Sequence, residues 1–190
     1  AFDQDPGAIG DLLKANVDII VAWATPTVIA VRRAVPTIPI VMVSVGDPVG
    51  SGFIASLARP GGNITGVSNI TADLSAKVVE MFTEFVPGMK RIGVISNSYN
   101  PNVAVQLEET KVALGKFNLS YFVAEARAPE EYERAFARFK AEGVDGVLPL
   151  SDPSVVGNAR LIAKLALEAG LPTAFQRRES VVAGGLLSYG

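Results

Sequence analysis

The sequence predicts an α/β protein of two Rossmann-like lobes, each a doubly wound parallel sheet, and two observations carry that expectation. Short β-branched apolar runs alternate with amphipathic helical stretches along all 190 residues. The runs are nearly continuous in Val, Ile and Leu, as parallel strands covered by helices on both faces require. With 49% of residues apolar, the composition agrees. Alternation of this kind implies right-handed crossovers between parallel strands.

The predicted strands, in order, are Val17–Ala22, Ile38–Val43, Ile64–Ser68, Arg91–Ser96, Leu119–Ala124, Asp145–Leu150 and Leu171–Phe175. Between them, Leu74, Val78, Met81, Phe82 and Phe85 keep the spacing of one helix face, predicting a helix over Ala72–Phe85. Tyr132, Ala135, Phe136 and Phe139 repeat the pattern, as do Val155, Ala159, Ile162, Ala163 and Ala166. The helix from Pro129 carries Glu130 and Glu131 early and Lys140 late, matching the macrodipole. Gly143 and Gly170 stand where C-terminal caps are expected. A fresh strand-helix series starts after Val86-Pro87-Gly88, which places the lobe boundary there. Residues 1–86 then form an incomplete first lobe and residues 87–185 a second. After Ala183-Gly184-Gly185, residues 186–190 are expected to be a short strand returning toward the first lobe.

Composition excludes several functions. With 17 Lys and Arg against 19 Asp and Glu, the net charge is −2, and the basic residues are scattered. No stripe could neutralise a row of phosphates, so no nucleic acid partner is expected. The chain has no Cys and no His. Thiol nucleophiles, Cys or His zinc sites and Ser-His-Asp triads are thereby excluded, and no metal site is expected. Nor is a cofactor: Gly46–Gly52 has the spacing G-x-x-x-G-x-G, which is neither a dinucleotide fingerprint nor a P-loop. No apolar run approaches the ~20 residues of a transmembrane helix. No basic segment leads into an apolar one, so these residues contain no signal peptide.

Ligands of open α/β sheets lie outside the carboxyl ends of the strands. The residues there are rich in hydroxyls, amides and acids. Trp23, Thr25 and Thr27 follow the first predicted strand, Thr25 being placed to cap a helix whose first residue is Pro26. Asp47 follows the second strand and Ser68 ends the third. In the second lobe the matching residues are Asn97, Ser98 and Tyr99, then Ser151 and Asp152, then Gln176. Each also has a plain structural role open to it, since Ser, Asp and Asn before Pro are ordinary helix caps. Trp23 and Tyr99 are either core filler or walls flanking a ligand ring. Asp47 and Asp152 either cap helices or hold a ligand ammonium group, a role for which Asp152 is favoured. Helix N-termini converging on one cleft suit a carboxylate.

Several of these runs resemble a known family. They are Ile38-Pro39-Ile40-Val41, Gly46-Asp47-Pro48-Val49-Gly50-Ser51-Gly52 and Ala55-Ser56-Leu57-Ala58-Arg59-Pro60-Gly61-Gly62-Asn63-Ile64-Thr65-Gly66. With Val86-Pro87-Gly88, Asn100-Pro101, Asp152-Pro153 and Gly184-Gly185-Leu186-Leu187-Ser188-Tyr189-Gly190, they resemble the ABC transporter substrate-binding family typified by tryptophan- and phenylalanine-binding receptors. The resemblance implies a type I periplasmic-binding-protein fold whose cleft closes on a small solute, often an aromatic amino acid. It also implies export to the periplasm or cell exterior, often with a lipid anchor, and delivery of solute to a membrane permease. Family members begin with a strand, a helix and a second strand ahead of the point matching Ala1, and continue past the point matching Gly190. The chain is therefore expected to be truncated at both ends. The position of Trp23 is often small in relatives.

Two alternatives remain open at this point. One is the effector domain of a sugar- or purine-responsive transcription regulator of the same fold, which would carry a helix-turn-helix ahead of Ala1. The other is a carboxylate-dependent isomerase using Asp47 and Asp152. The family order further makes Val17–Ala22 a third strand whose neighbour is missing. Asp18, Ile19, Ile20 and Val21 should then form an open edge through which the 190-residue chain self-associates.

Overall fold

The β-branched runs form strands that pair in parallel, and the stretches between them form helices. A computed structural model describes residues 6–69 and 71–190. In chain order the elements are α1 (Pro6–Lys14), β1 (Ile20–Trp23), α2 (Thr25–Ala34), β2 (Ile40–Gly46), β3 (Ile64–Asn69), α3 (Thr71–Phe85), β4 (Arg91–Ser96) and α4 (Pro101–Lys116). There follow β5 (Ser120–Glu125), α5 (Pro129–Ala141), β6 (Gly146–Pro149), α6 (Pro153–Gly157), α7 (Ala159–Ala169), β7 (Ala174–Phe175), α8 (Arg178–Val182) and β8 (Leu187–Ser188). The α/β class expected from the sequence is the one observed.

The chain divides into two compact units, Ala1–Ile70 and Thr71–Gly190. The division falls ahead of α3, whereas the sequence places it after that helix, at residue 86. The cause is packing: Val78, Val79 and Phe82 of α3 are buried in one cluster with Leu114 of α4 and with Ile92 and Leu148 of the strands. Burying each such side chain contributes roughly 1.5–3 kcal/mol, which ties α3 to the second unit.

In the first unit the sheet order is β1-β2-β3. Ile20 is level with Ile40, and Ile40 with Ile64. These three and Met42 are buried with Val28 and Val31 of α2. Alternation sends Val21, Trp23 and Val67 to the opposite face, where they are 70%, 42% and 66% exposed. No described element of this unit covers that face, so burial on both faces, expected from the sequence, holds here for one face only. The β2–β3 register shifts between Val43 and Val45, where Ser44 sits at φ 57°. The bulge lets Val45 join Met42 in the core and turns Ser44 out of it. Opposite Met42, Gly66 has φ 142°, and a Cβ there would collide with the Met42 carbonyl oxygen. Only glycine fits.

The second unit carries the sheet β5-β4-β6, continued by β7-β8 through a bridge between Val147 and Thr173. Both faces are covered. Ile92, Val94 and Leu148 face α3 and α4, while Ile95, Val147 and Phe175 face α5 and α7. Two glycines admit the aromatic rings that do this. A Cβ at Gly146 would lie 2.6 Å from Phe82, and one at Gly93 would lie 2.8 Å from Phe139. Gly170 caps α7 in the left-handed conformation at φ 67°, as expected.

Two details differ from the sequence expectation. The helix expected around Val155–Ala166 is two helices, broken at Asn158 with φ −110°. Strand β7 keeps only two residues of Leu171–Phe175, because Pro172 has no N–H to give a ladder. Within residues 186–190 the expected short strand is present as β8. Leu187 and Ser188 pair with Ala174 and Phe175, and burial of Leu187 in the core holds them there.

Candidate ligand-binding site

In the second unit the chain passes from central β4 outward to β5, then crosses back to β6 on the other side. The loops after β4 and β6 therefore diverge, leaving a crevice at the carboxyl end of the sheet. Asn97, Ser98 and Tyr99 follow β4, and Ser151 and Asp152 follow β6, so the fold brings these five predicted residues together. Asp152 is 4% exposed and is the hub. Its Oδ1 accepts from Asn97 Nδ2 at 3.2 Å, from the Ser154 N–H at 2.8 Å and from the Ser154 hydroxyl. Its Oδ2 accepts from Asn100 Nδ2 at 2.9 Å. Both oxygens are thus engaged by neutral donors, and the carboxylate caps α6.

The neighbours of this hub are equally constrained. Buried Asn100 caps α4, its Oδ1 accepting from the Asn102 N–H. Asn97 Oδ1 accepts from the Tyr99 N–H at 3.2 Å. Buried Gln106 bonds both backbone groups of Ser151. Tyr132 donates to the Ser154 hydroxyl at 3.1 Å, and its burial pushes the phenol up to about 12. Glu125 accepts from the Ser98 N–H at 2.8 Å. Tyr99 is 67% exposed, so it is not core filler, and the Arg127 guanidinium lies 3.8 Å from its ring centroid. Gln176, buried at the end of β7, donates to the Ser75 hydroxyl of α3 at 3.3 Å.

In the first unit the predicted residues stand at the ends of three adjacent strands. Trp23 lies on the open face of the sheet, level with Val43 and through it with Val67. Thr25 is buried but does not cap α2: Ala24 is the N-cap, at φ 69° and without a side-chain bond. The tight turn at φ 69° places Thr25 already inside the helix. Thr27 is half-buried in the first turn of α2. Asp47 is exposed and caps no helix, because residues 47–52 form turns. Its carboxylate accepts from the Gly50 N–H at 2.8 Å. Ser68 is half-buried in β3, opposite Val45.

Sequence reasoning missed Gln106 and Arg127, and it placed Asn100, Ser154, Ser44 and Asn69 in the polar strand-end loops without their bonding roles. Asn69 Nδ2 donates to the Ser44 carbonyl at 2.9 Å and to its hydroxyl at 3.2 Å, holding the bulge. Gln106 left a signal, since Val103, Gln106, Thr110 and Ala113 line the buried face of α4. A glutamine at an apolar-face position requires partners for both ends of its amide. Arg127 left none, because its stack depends on how two loops meet.

Known proteins agree with this architecture. Over 174 residues the chain is 30% identical to the tyrosine-binding protein of Clostridioides difficile (strain R20291), a match covering 91% of this chain and 49% of that protein. A conserved domain protein from Vibrio cholerae O1 biovar El Tor superposes with a TM-score of 0.85 at 29% identity, over 95% of this chain and 60% of that one. The fold is shared with the ABC domain from Streptococcus pneumonia solved in complex with L-Trp, at a TM-score of 0.84 and 24% identity over the same shares. The chain thus spans about half the length of its curated relative. The family model for ABC transporter substrate binding proteins matches residues 7–190, and the chain belongs to that family.

Proposed function

We propose that the protein is the receptor of an ABC uptake system for an α-amino acid with an aromatic side chain, and that it works outside the cytoplasm and hands its solute to a membrane permease. The observation that carries this is the β4/β6 crevice. It is lined by amides and hydroxyls whose positions are locked by a buried carboxylate and a buried glutamine, the preorganisation a small polar solute requires. A relative 30% identical that is named a tyrosine-binding protein supports the aromatic class. In this reading Asn97, Ser98, Tyr99 and Ser151 contact the solute from the second unit, with Gln176 beside them. Trp23, Thr25, Thr27, Asp47 and Ser68 stand at the strand ends of the first. Asp152 orients the two asparagine amides.

Calorimetry on the full-length protein with L-tyrosine, L-tryptophan and L-phenylalanine tests the proposal. Saturable binding of at least one is expected. Binding of a sugar or nucleoside, with no heat from any amino acid, overturns the ligand class.

A further inference from the structure

We infer that Arg127 is a specificity-determining residue that receives the carboxylate of the ligand, an inference that rests on the amino-acid reading above. Arg127 stands two residues beyond the carboxyl end of β5, in the loop that borders the β4 loop. Its backbone is fixed from both sides. The Ala126 N–H donates to the Ser96 carbonyl at 2.9 Å, and Glu131 accepts from the N–H groups of Arg127 and Ala128 at 2.9 and 3.2 Å. From this base the guanidinium reaches over the ring of Tyr99, whose own N–H is held by Asn97. A planar cation is thus held over an aromatic face, its central carbon 3.8 Å from the ring centroid.

The nearby acids do not neutralise it. Glu131 is turned to backbone amides, Glu125 to the Ser98 N–H, and Asp152 is enclosed by neutral donors. Among the described residues the guanidinium takes part in no ion pair. Arg177, the cation at the end of β7, already has an interaction within the protein. The fork of an arginine held by stacking matches a carboxylate in bidentate fashion, which an ammonium on a flexible stem does not. The acids beside the crevice, Asp152 and Glu125, are already engaged by neutral donors, so Arg127 supplies the positive charge that tells an amino acid from its uncharged-carboxyl analogue.

The test measures L-tyrosine and L-tyrosinamide binding to the full-length wild type, Arg127→Gln and Arg127→Lys by calorimetry, with melting temperatures alongside. In Arg127→Gln, affinity for L-tyrosine should fall by about 30-fold or more, the scale of truncating one partner of a charge pair. Affinity for the amide and the melting temperature should stay as in wild type, and Arg127→Lys should recover part of the loss. If Arg127→Gln binds L-tyrosine as tightly as wild type, or still prefers the acid by the wild-type ratio, the carboxylate is held elsewhere and the inference falls alone. If wild type binds none of L-tyrosine, L-tryptophan and L-phenylalanine, the aromatic-ligand reading falls and takes this one with it.

Discussion

Gln106 and Ser151 exchange two hydrogen bonds, Gln106 Nε2 donating to the Ser151 carbonyl at 3.0 Å and the Ser151 N–H donating to Gln106 Oε1 at 2.9 Å. The glutamine is fully buried on α4, and Ser151 lies just past β6. One amide therefore satisfies the backbone of a crevice loop from inside the core. Gln106→Leu keeps the volume but leaves both backbone groups without that partner. The expected cost is about 2–3 kcal/mol, the desolvation of two buried polar groups less the gain from apolar burial. Urea unfolding measures it, and an unchanged midpoint would mean that water replaces the amide without penalty.

Asp152→Asn should behave as a change to a scaffold. The carboxylate accepts from two asparagine amides and from the Ser154 N–H and hydroxyl. An amide in its place directs an N–H₂ group at donors, so stability should fall by roughly 2–4 kcal/mol. Affinity should weaken with it as Asn97 and Asn100 lose their anchor. A large loss of affinity with an unchanged melting temperature would instead restore Asp152 as the partner of a ligand ammonium.

The fold was legible because its signals are local and repeated. Runs such as Arg91–Ser96 are strands residue for residue, and the Leu74–Phe85 stripe is a helix, since period alone decides such segments. The allegiance of α3 was not legible, because its apolar stripe says that it packs and not against what. The break at Asn158 and the bulge at Ser44 also escaped: neither residue type demands them, and the bulge is held by Asn69, 25 residues away. At the candidate site, strand-end position identified Asn97, Ser151 and Asp152. What each side chain bonds depends on distances across 45 to 55 residues, and no spacing rule encodes those.

Tyr132 gives the protein an alkaline sensitivity with a definite sign. Burial holds its phenol at about 12 against an ordinary value of 10.0. Between those limits the unfolded chain releases the proton and the folded chain keeps it. The unfolded state then binds fewer protons, and stability falls as pH rises. Across that window the loss approaches roughly 2–3 kcal/mol. Tyr132→Phe removes the ionisable group along with the bond to Ser154. The variant should begin about 1 kcal/mol less stable at pH 8 and lose less between pH 10 and 12. Parallel slopes in unfolding experiments across that range would place the alkaline transition elsewhere.

The first unit makes the final prediction, which concerns a second copy of this chain. Strand β1 pairs only with β2 among the described residues. The amides of Ile20 and Ala24 donate to the carbonyls of Pro39, just ahead of that neighbour, and of Val43 within it. Alternation then directs the N–H and C=O groups of Val21 and Trp23 to the other side, where no described strand accepts them. The adjoining face is apolar, with Ile19, Val21 and Val67 each more than half exposed. An edge with unsatisfied backbone groups, an apolar flank and no lysine in the strand is a template for pairing with another chain. A second copy of the 190-residue chain carries the same edge and can pair with it antiparallel about a two-fold axis. Light scattering on this polypeptide should therefore report a dimer or larger assembly at micromolar concentration. Val21→Lys, which puts a charge on that edge and face, should shift the population toward monomer while leaving the second unit folded. A wild-type chain that stays monomeric at every concentration would mean that the edge is closed in solution.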